Sequence, residues 1–212
     1  MTTEPSTIEF RFDFGSNYSY LSVMRIEHAA REKGVPIMWK AFLLGQIFRT
    51  LALENSPFVL QKEKGAYVWR DMERQCCKFG LRWQQPSAFP RVGVLPSRVA
   101  LLGAVQCWIG AFCRRVMERN FVLDQDINQA DRLAPILTEL GLSAGEILDQ
   151  AQAEPTKKRL REQTEEARSR GIFGAPTFLV GTEMFWSNDR LDDALLFASE
   201  QIIESSLSQA RQ

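Results

Sequence analysis

The sequence predicts an α/β fold in which a β-α-β unit and a β-β-α unit build one sheet, with a large all-helical segment inserted after the second strand. Three observations lead to this prediction. Apolar and polar residues alternate near the N-terminus, helical periodicity dominates the middle of the chain, and strand patterning returns only near the C-terminus. With 212 residues, of which 45% are hydrophobic, the chain can bury a sizeable core.

The N-terminal unit starts with the stretch STIEFRFDF, residues 6–14, in which apolar residues occupy every second position. This pattern predicts a strand with one buried face. Helical spacing follows from Ser16 to about Lys33, and Gly34 supplies a stop signal. The compact apolar run 36–42 then predicts the second strand, so the chain opens as β-α-β.

The middle of the chain shows mostly helical periodicity, interrupted by proline-containing segments. The clearest candidate helices are 62–79, 97–119 and 130–140. We therefore predict an inserted helical domain over residues 44–170. Residues 1–43 and 171–212 are predicted to form the sheet domain.

The C-terminal unit contains the strand-like run PTFLVGTEMFW, residues 176–186, in which Gly181 can turn one short strand into the next. A last amphipathic helix follows, and Asn188 or Asp189 is suited to be its N-cap. The order of elements is thus β-α-β, helices, β-β-α.

Charge and hydropathy narrow the classes of partner. The 26 basic and 26 acidic residues give a net charge of +0, so no charge excess points to nucleic acid. The N-terminal MTTEPSTIEF lacks the basic and apolar regions of a signal peptide, and no apolar run approaches the roughly 20 residues that a membrane helix needs. We expect a cytoplasmic protein that binds neither nucleic acid nor membranes.

Cysteine spacing gives no sign of a redox motif or a metal site. The four cysteines show no C-x-x-C spacing, and together with the lone His28 they form no zinc pattern. They are Cys76, Cys77, Cys107 and Cys113. We interpret them as structural thiols in a reducing compartment and predict that the protein holds no metal.

Ser16 lies at the junction between the first predicted strand and the first predicted helix, and two interpretations of its role are open. It could be a routine N-cap. Alternatively, its hydroxyl could stabilise a bound anion, because a helix start carries unpaired N–H groups and a partial positive charge. The chain has no cysteine before Cys76, so no thiol of its own lies at this helix start.

Three motifs in chain order resemble those of one family. DFGSNYSYL, residues 13–21, resembles the D-F-x-S-P-Y-S-Y-L signature of the 2-hydroxychromene-2-carboxylate isomerases, which are relatives of the kappa-class glutathione transferases. FGAPTF, residues 173–178, is similar to their G-[VA]-P-[TS]-F segment, and WSNDRLD, residues 186–192, resembles a segment before their last helix. A fourth stretch, Lys64 to Arg74, resembles their K-x-x-Y-x-x-x-D-x-x-R helix. The resemblance implies a thioredoxin-like fold.

The resemblance also implies a glutathione site, with glutathione as the cofactor and Ser16 as the catalytic residue that stabilises its thiolate. Ala175, before a cis Pro176, would pair its backbone with the glutathione cysteine. Asn188 and Asp189 would bind the γ-glutamyl end, although both could be caps alone.

Two residues of the inserted segment complete the implied site. Asn55 and Lys64 would reach the backbone and glycyl carboxylate of glutathione, although Lys64 could equally be a solvated helix charge. Candidate walls for an aromatic substrate are Tyr18, Phe42, Trp83 and Phe89. Asn17 departs from the family pattern, which has proline there, and frees a backbone N–H at the first helical turn.

The implied reaction is the glutathione-dependent interconversion of 2-hydroxychromene-2-carboxylate and trans-o-hydroxybenzylidenepyruvate. Two alternatives stay open. One is a kappa-like transferase or peroxidase acting on other electrophiles or on peroxides. The other is a glutathione-binding module without turnover, or a thioredoxin-like scaffold whose role is protein interaction. Relatives with this plan are commonly dimers, so the resemblance also implies a homodimer.

Overall fold

Four strands form one mixed sheet in the computed structural model, which describes residues 7–209. The strands are β1 (Ile8–Phe12), β2 (Ile37–Ala41), β3 (Thr177–Val180) and β4 (Glu183–Trp186). Their spatial order is β2-β1-β3-β4, with β1 parallel to β2 and antiparallel to β3, and β3 antiparallel to β4. The predicted strands and the predicted thioredoxin-like arrangement are confirmed.

Helix α1 (Asn17–Lys33) connects β1 to β2 and begins and ends at the predicted signals. Ser16 is its N-cap, since its hydroxyl oxygen accepts a hydrogen bond from the Ser19 N–H. Gly34 ends the helix at φ 66°, a left-handed conformation that costs glycine little. The sequence signals thus place the start of α1 directly after the first strand.

The segment between β2 and β3 is helical, as predicted. Its helices are α2 (Leu44–Thr50), α3 (Pro57–Leu60), α4 (Lys62–Phe79), α5 (Val94–Gly103), α6 (Ile109–Phe121), α7 (Ala130–Glu139), α8 (Ala144–Gln152) and α9 (Glu154–Ser169). The single helix predicted over 97–119 is wrong, because α5 ends at Gly103 and α6 starts at Ile109. Trp108 folds back so that its ring fills the space where a Cβ on Gly103 would lie, at 2.3 Å. A continuous helix could not bring these residues together.

The strand β1 buries both faces, which corrects the prediction of one buried face. Arg11 is 0% exposed. Its guanidinium pairs with Glu9 at 2.7 Å and with Glu166 of α9 at 2.6 Å. Arg170 and Lys40 extend this ionic cluster. Buried charge is tolerated here because it is paired.

Helix α9 covers the sheet although it lies within the predicted inserted segment. Besides the Glu166 contact, Gln163 donates to the Ala41 carbonyl at 2.6 Å, and Thr164 accepts from the Leu43 N–H at 3.2 Å. The domain boundaries at 44 and 170 stay a prediction.

The C-terminal unit turns at Gly181, which has φ 60°, between β3 and β4. The prediction that Asn188 or Asp189 caps the last helix differs from the structure. Both lie inside a short 3-10 helix (Asn188–Arg190), after which α10 (Leu191–Gln209) begins. Within residues 7–209, no helix is long and apolar enough to cross a membrane.

Candidate functional site

A cavity of about 940 Å³ opens at the start of α1, between the sheet and helices α2 to α4. Segments from both ends of the chain and from the helical segment build its walls. Eight of the residues that the sequence predicts for the site line it: Ser16, Tyr18, Asn55, Lys64, Phe89, Ala175, Asn188 and Asp189. Residues as far apart in sequence as Ser16 and Asp189 therefore share one space.

Ser16 is 8% exposed and forms two hydrogen bonds at the rim of this cavity. Its hydroxyl donates to the Ala175 carbonyl at 2.9 Å and accepts from the Ser19 N–H at 3.2 Å. Ser16 is thus an N-cap and a cavity residue at once, so the two interpretations of Ser16 are not exclusive.

The loop that carries Ala175 lies directly against the start of α1. The Ala175–Pro176 peptide bond is cis, as the resemblance implies, and Pro176 accepts a hydrogen bond from the Ser187 N–H at 2.9 Å. Pro176 is not among the lining residues, whereas Gly174 and Ala175 are. A Cβ on Gly174 would meet the Trp186 indole nitrogen at 2.1 Å, so glycine is required for the close approach of Trp186. Two of the sequence motifs meet in this contact.

Asn188 and Asp189 differ in how free their side chains are. Asn188 is 3% exposed, and its Oδ1 accepts from Ser22 at 3.0 Å and from Arg25 at 3.2 Å. These bonds attach the 3-10 helix to α1. Asp189 pairs with Arg190 at 3.3 Å. Because Asp189 is exposed and lines the cavity, its carboxylate is also accessible to a bound cation.

The helical segment contributes a free cation to the opposite wall. Lys64 of α4 is exposed and forms no ion pair with a carboxylate within the described residues. Its ammonium lies 5.9 Å from the centre of the Phe58 ring. Nearby, Asn55 accepts from the Ser56 N–H at 2.7 Å, which stiffens the loop before α3.

Phe42 and Trp83 are not among the cavity-lining residues, contrary to the expectation that they form its aromatic walls. Phe42 is 0% exposed and packs in a small core with Ile172 and Leu179. Trp83 stacks on Phe121 with ring centres 5.8 Å apart, within an aromatic cluster of the helical segment. Both side chains pack in apolar clusters instead of facing the cavity. The sequence pattern is the same for an aromatic residue of the core and for one that lines a pocket, so it could not distinguish the two.

Three acidic residues that line the cavity were not predicted as site residues from the sequence: Asp13, Glu54 and Asp71. Asp13 accepts hydrogen bonds from the Gly15 N–H at 2.6 Å and the Leu44 N–H at 2.8 Å. Burial raises the pKa of Asp13 to about 6 despite these two donors. Asp71 accepts from the Tyr18 hydroxyl at 2.8 Å, and burial together with this contact raises the pKa of Tyr18. Asp13 belongs to the DFGSNYSYL motif, so that motif could have identified Asp13 as a site residue.

The cysteines lie outside the cavity lining, and all four are free thiols. Cys76 and Cys113 are buried, and burial raises the pKa of both thiols, to about 12 for Cys76. Cys77 and Cys107 are exposed. Within residues 7–209, no group of three or more His, Cys, Asp and Glu side chains could hold a metal ion.

Comparison of the sequence with models of known protein families identifies the family of this chain. A sequence model of the DSBA-like thioredoxin domain matches residues 7–196. The chain belongs to the DSBA-like thioredoxin domain family.

This DSBA-like thioredoxin domain is similar to named enzymes over most of its length. It is 28% identical over 189 residues to the 2-hydroxychromene-2-carboxylate isomerase of Sphingobium xenophagum, covering 88% of this chain and 94% of that protein. It is 24% identical over 208 residues to glutathione S-transferase kappa 2 of Caenorhabditis elegans, covering 91% and 92%. A solved 2-hydroxychromene-2-carboxylate isomerase superposes with a TM-score of 0.80 at 23% identity, over 97% of this chain and 98% of that one. At that identity, the superposition shows the shared fold.

The site chemistry of this DSBA-like thioredoxin domain depends on the residue at the helix start. The position carries a serine, and serine cannot form a mixed disulfide. The start of α1 nevertheless offers N–H groups and a positive dipole end, which favour an anion. Sulfur chemistry in this cavity therefore requires a thiol that binds from outside.

Proposed function

We propose that this protein is a glutathione-dependent isomerase that interconverts 2-hydroxychromene-2-carboxylate and trans-o-hydroxybenzylidenepyruvate. One observation carries the proposal: apart from Pro176, the residues that the motifs assign to a glutathione site line one cavity, at a helix start that carries a serine and no cysteine. Relatives named 2-hydroxychromene-2-carboxylate isomerase, which are similar over most of the chain, support the same reaction.

The donor set of the cavity fits a γ-glutamyl tripeptide. The exposed carboxylate of Asp189 suits the ammonium of the γ-glutamyl group, and the ammonium of Lys64 suits the glycyl carboxylate. Between them, the backbone of Ala175 suits the central cysteine, since an extended peptide can pair with the N–H and C=O of such a loop. The negative charge of Asp189 and the positive charge of Lys64 are thus complementary to the ammonium at one end of the tripeptide and the carboxylate at the other.

Ser16 would act on the thiol at the centre of this arrangement. Its hydroxyl can turn from the Ala175 carbonyl towards the sulfur, because the Ala175 backbone then pairs with the tripeptide. A thiol ionises near 8.5, so a pKa near 6.5 needs roughly 2.7 kcal/mol of thiolate stabilisation. A hydroxyl donating to a charged acceptor contributes about 1.5 to 3 kcal/mol, and a partly buried helix start up to about 2 kcal/mol. The two effects together are sufficient.

When bound, glutathione would supply a thiolate that adds to the conjugated carbon of the opened keto acid, so that a double bond becomes a rotatable single bond until elimination returns the thiolate. The chain's own part is to hold the aromatic acid beside the sulfur. Tyr18, Phe58 and Phe89 provide apolar walls for an aromatic ring. The Tyr18–Asp71 hydrogen bond fixes one of these walls.

A kappa-like glutathione transferase or peroxidase is the second candidate, favoured by the similarity to the nematode kappa 2 enzyme. It would use the same thiolate site on other electrophiles or on peroxides. A binding module without turnover would use the same cavity for recognition alone. The three candidates differ in the fate of the bound thiolate.

The proposal includes a cytoplasmic location and a homodimer. The exposed free thiols of Cys77 and Cys107 suit a reducing compartment, because disulfides persist mainly in oxidising ones. The dimer rests on the family resemblance alone and is checked by light scattering of the purified protein.

The test begins with titration calorimetry of reduced glutathione beside S-methyl glutathione. The isomerisation of 2-hydroxychromene-2-carboxylate is then monitored by absorbance, with and without glutathione. Binding with glutathione-dependent isomerisation is the expected result. Binding with conjugation of an aryl halide but no isomerisation would favour the transferase, and binding without any turnover would favour the module. Absence of binding would contradict all three.

A further inference from the structure

Asn17, the first residue of α1, carries a buried hydrogen-bond donor without a partner. The residue is 1% exposed and lines the cavity. Its Nδ2 group has no hydrogen-bond partner, one of two such buried side-chain atoms among the described residues. An unpaired buried donor lowers the stability of the folded protein by about 1 to 3 kcal/mol, so the unpaired Asn17 amide requires an explanation.

The orientation of the Asn17 amide is fixed by its other end. Oδ1 accepts a hydrogen bond from the Tyr18 N–H at 3.0 Å. If the amide were flipped, its NH₂ group would face that N–H, donor against donor. The carbonyl therefore caps the helix, and the NH₂ group is the end that remains for another acceptor.

Two neighbouring donors at this helix start, the Ser16 hydroxyl and the Ser19 N–H, are already engaged. The single hydroxyl proton of Ser16 points to the Ala175 carbonyl, and the Ser19 N–H points to Ser16. The Asn17 side chain thus offers a donor that needs no existing hydrogen bond to be broken. The positive end of α1 makes an anion the preferred acceptor.

The nearby carboxylates do not take this donor. Asp13 accepts from Gly15 and Leu44, and Asp71 accepts from Tyr18. No described residue accepts from this amide, so an acceptor on a bound molecule would satisfy it. A sulfur anion seated beside Ser16, as the proposed function requires, is such an acceptor.

We propose that the Asn17 side-chain amide donates a hydrogen bond to the sulfur anion of the bound thiol cosubstrate. This inference rests on the proposed function and deepens it. At the position where the resembling family has proline, which offers no donor, this chain places a catalytic residue that touches the reacting sulfur. Ser16 and Asn17 then share the stabilisation of the thiolate.

The test compares Asn17→Leu with the matched control Asn128→Leu. Asn128 likewise accepts a backbone N–H near a helix start, from Leu95 at 2.9 Å, but lies outside the cavity lining. Both variants lose a capping acceptor, and only the first loses the proposed donor to sulfur. The thiolate absorbance of bound reduced glutathione is titrated against pH in each, and S-methyl glutathione binding is measured beside it.

We expect Asn17→Leu to raise the pKa of the bound thiol by about one unit or more, while its affinity for S-methyl glutathione matches that of Asn128→Leu. Asn17→Ala, which removes the amide donor without adding a charge, should raise the pKa of the bound thiol as well and serves if Asn17→Leu does not fold. A thiol pKa equal to that of the wild type in the folded variants would overturn the role of Asn17 while leaving the proposed function intact. If the wild-type protein binds neither form of glutathione, both proposals fall.

Discussion

The hydroxyl of Ser16 donates a hydrogen bond of 2.9 Å to the carbonyl oxygen of Ala175, 159 residues further along the chain. This bond joins the start of α1 to the loop before β3. The two segments that the motifs single out are therefore held together before any ligand binds, which reduces the ordering that binding would otherwise require.

Ser16→Ala removes this bond and the cap on Ser19 together. We expect the free energy of unfolding to fall by about 1 to 2 kcal/mol in denaturant titrations, because an N-cap and a buried hydrogen bond are both lost. The pKa of the thiol group of bound glutathione should rise in the same variant. Ser143→Ala is the control, since Ser143 precedes α8 without forming a side-chain cap bond. Equal stability of the two variants would contradict the structural role, and an unchanged thiol pKa would remove Ser16 from catalysis.

Lys64→Gln tests the proposed contact with the glycyl carboxylate. The affinity for reduced glutathione should fall about two- to fivefold by calorimetry, since an exposed ion pair contributes up to about 1 kcal/mol. The loss should shrink at high salt because the pair is screened. Lys62→Gln, on the same helix but outside the cavity lining, is the matched control. If both variants bind glutathione like the wild type, Lys64 is a solvated helix charge.

Asp13 makes the stability of the protein depend on pH. Its pKa is about 6 in the folded protein, above the ordinary aspartate value of 3.8, so the folded state binds more protons between these values. Its contribution to stability is therefore present at low pH and lost as pH rises through about 4 to 6. Relative to Asp13→Asn, which does not titrate, the wild type should lose up to about 3 kcal/mol of unfolding free energy between pH 4 and 7.

The comparison with a variant is needed because other groups titrate too. Burial raises the pKa of Glu9, but Arg11 and Arg170 outweigh it and lower the pKa overall, which acts on stability in the opposite direction. Asp149→Asn, at an exposed position of α8, reports the effect of removing one negative charge. A pH-independent difference between the wild type and Asp13→Asn would refute the assignment.

Ser187 holds a strained backbone conformation beside the cavity, with φ 85° and ψ 159°. This region is almost restricted to glycine, and other residues lose about 1 to 3 kcal/mol there. Ser187→Gly should therefore raise the free energy of unfolding by about 1 kcal/mol in thermal or denaturant unfolding. Ser199→Gly, within α10, should instead lower it by about 0.5 to 1 kcal/mol. Destabilisation by both changes would argue against strain at Ser187.

The sequence predicted the sheet and the start of α1 because local signals there agree with the final fold. Alternation in β1, the cap at Ser16 and the stop at Gly34 are each read from adjacent residues. The convergence of Ser16, Lys64 and Asp189 on one cavity came from the motif resemblance, since no local pattern brings together residues so distant in sequence.

The features that could not be predicted depend on tertiary contacts. The burial of Arg11 needs a carboxylate from Glu166, and the break after Gly103 needs the ring of Trp108. The unpaired amide of Asn17 arises from the engagement of its neighbours, which only the folded structure reveals. In each case, the observed structure depends on contacts between residues that are not apparent from the local sequence pattern.

The ion pair between Arg11 and Glu166 has a consequence for how the molecule unfolds. If α9 separated from the sheet, the guanidinium would lose one of its two carboxylate partners, and the polar contacts of Ala41 and Leu43 would be lost with it. Removing one partner of a buried charge is strongly destabilising. The sheet and the helices after β2 are therefore expected to melt together as one cooperative unit, with a single calorimetric peak.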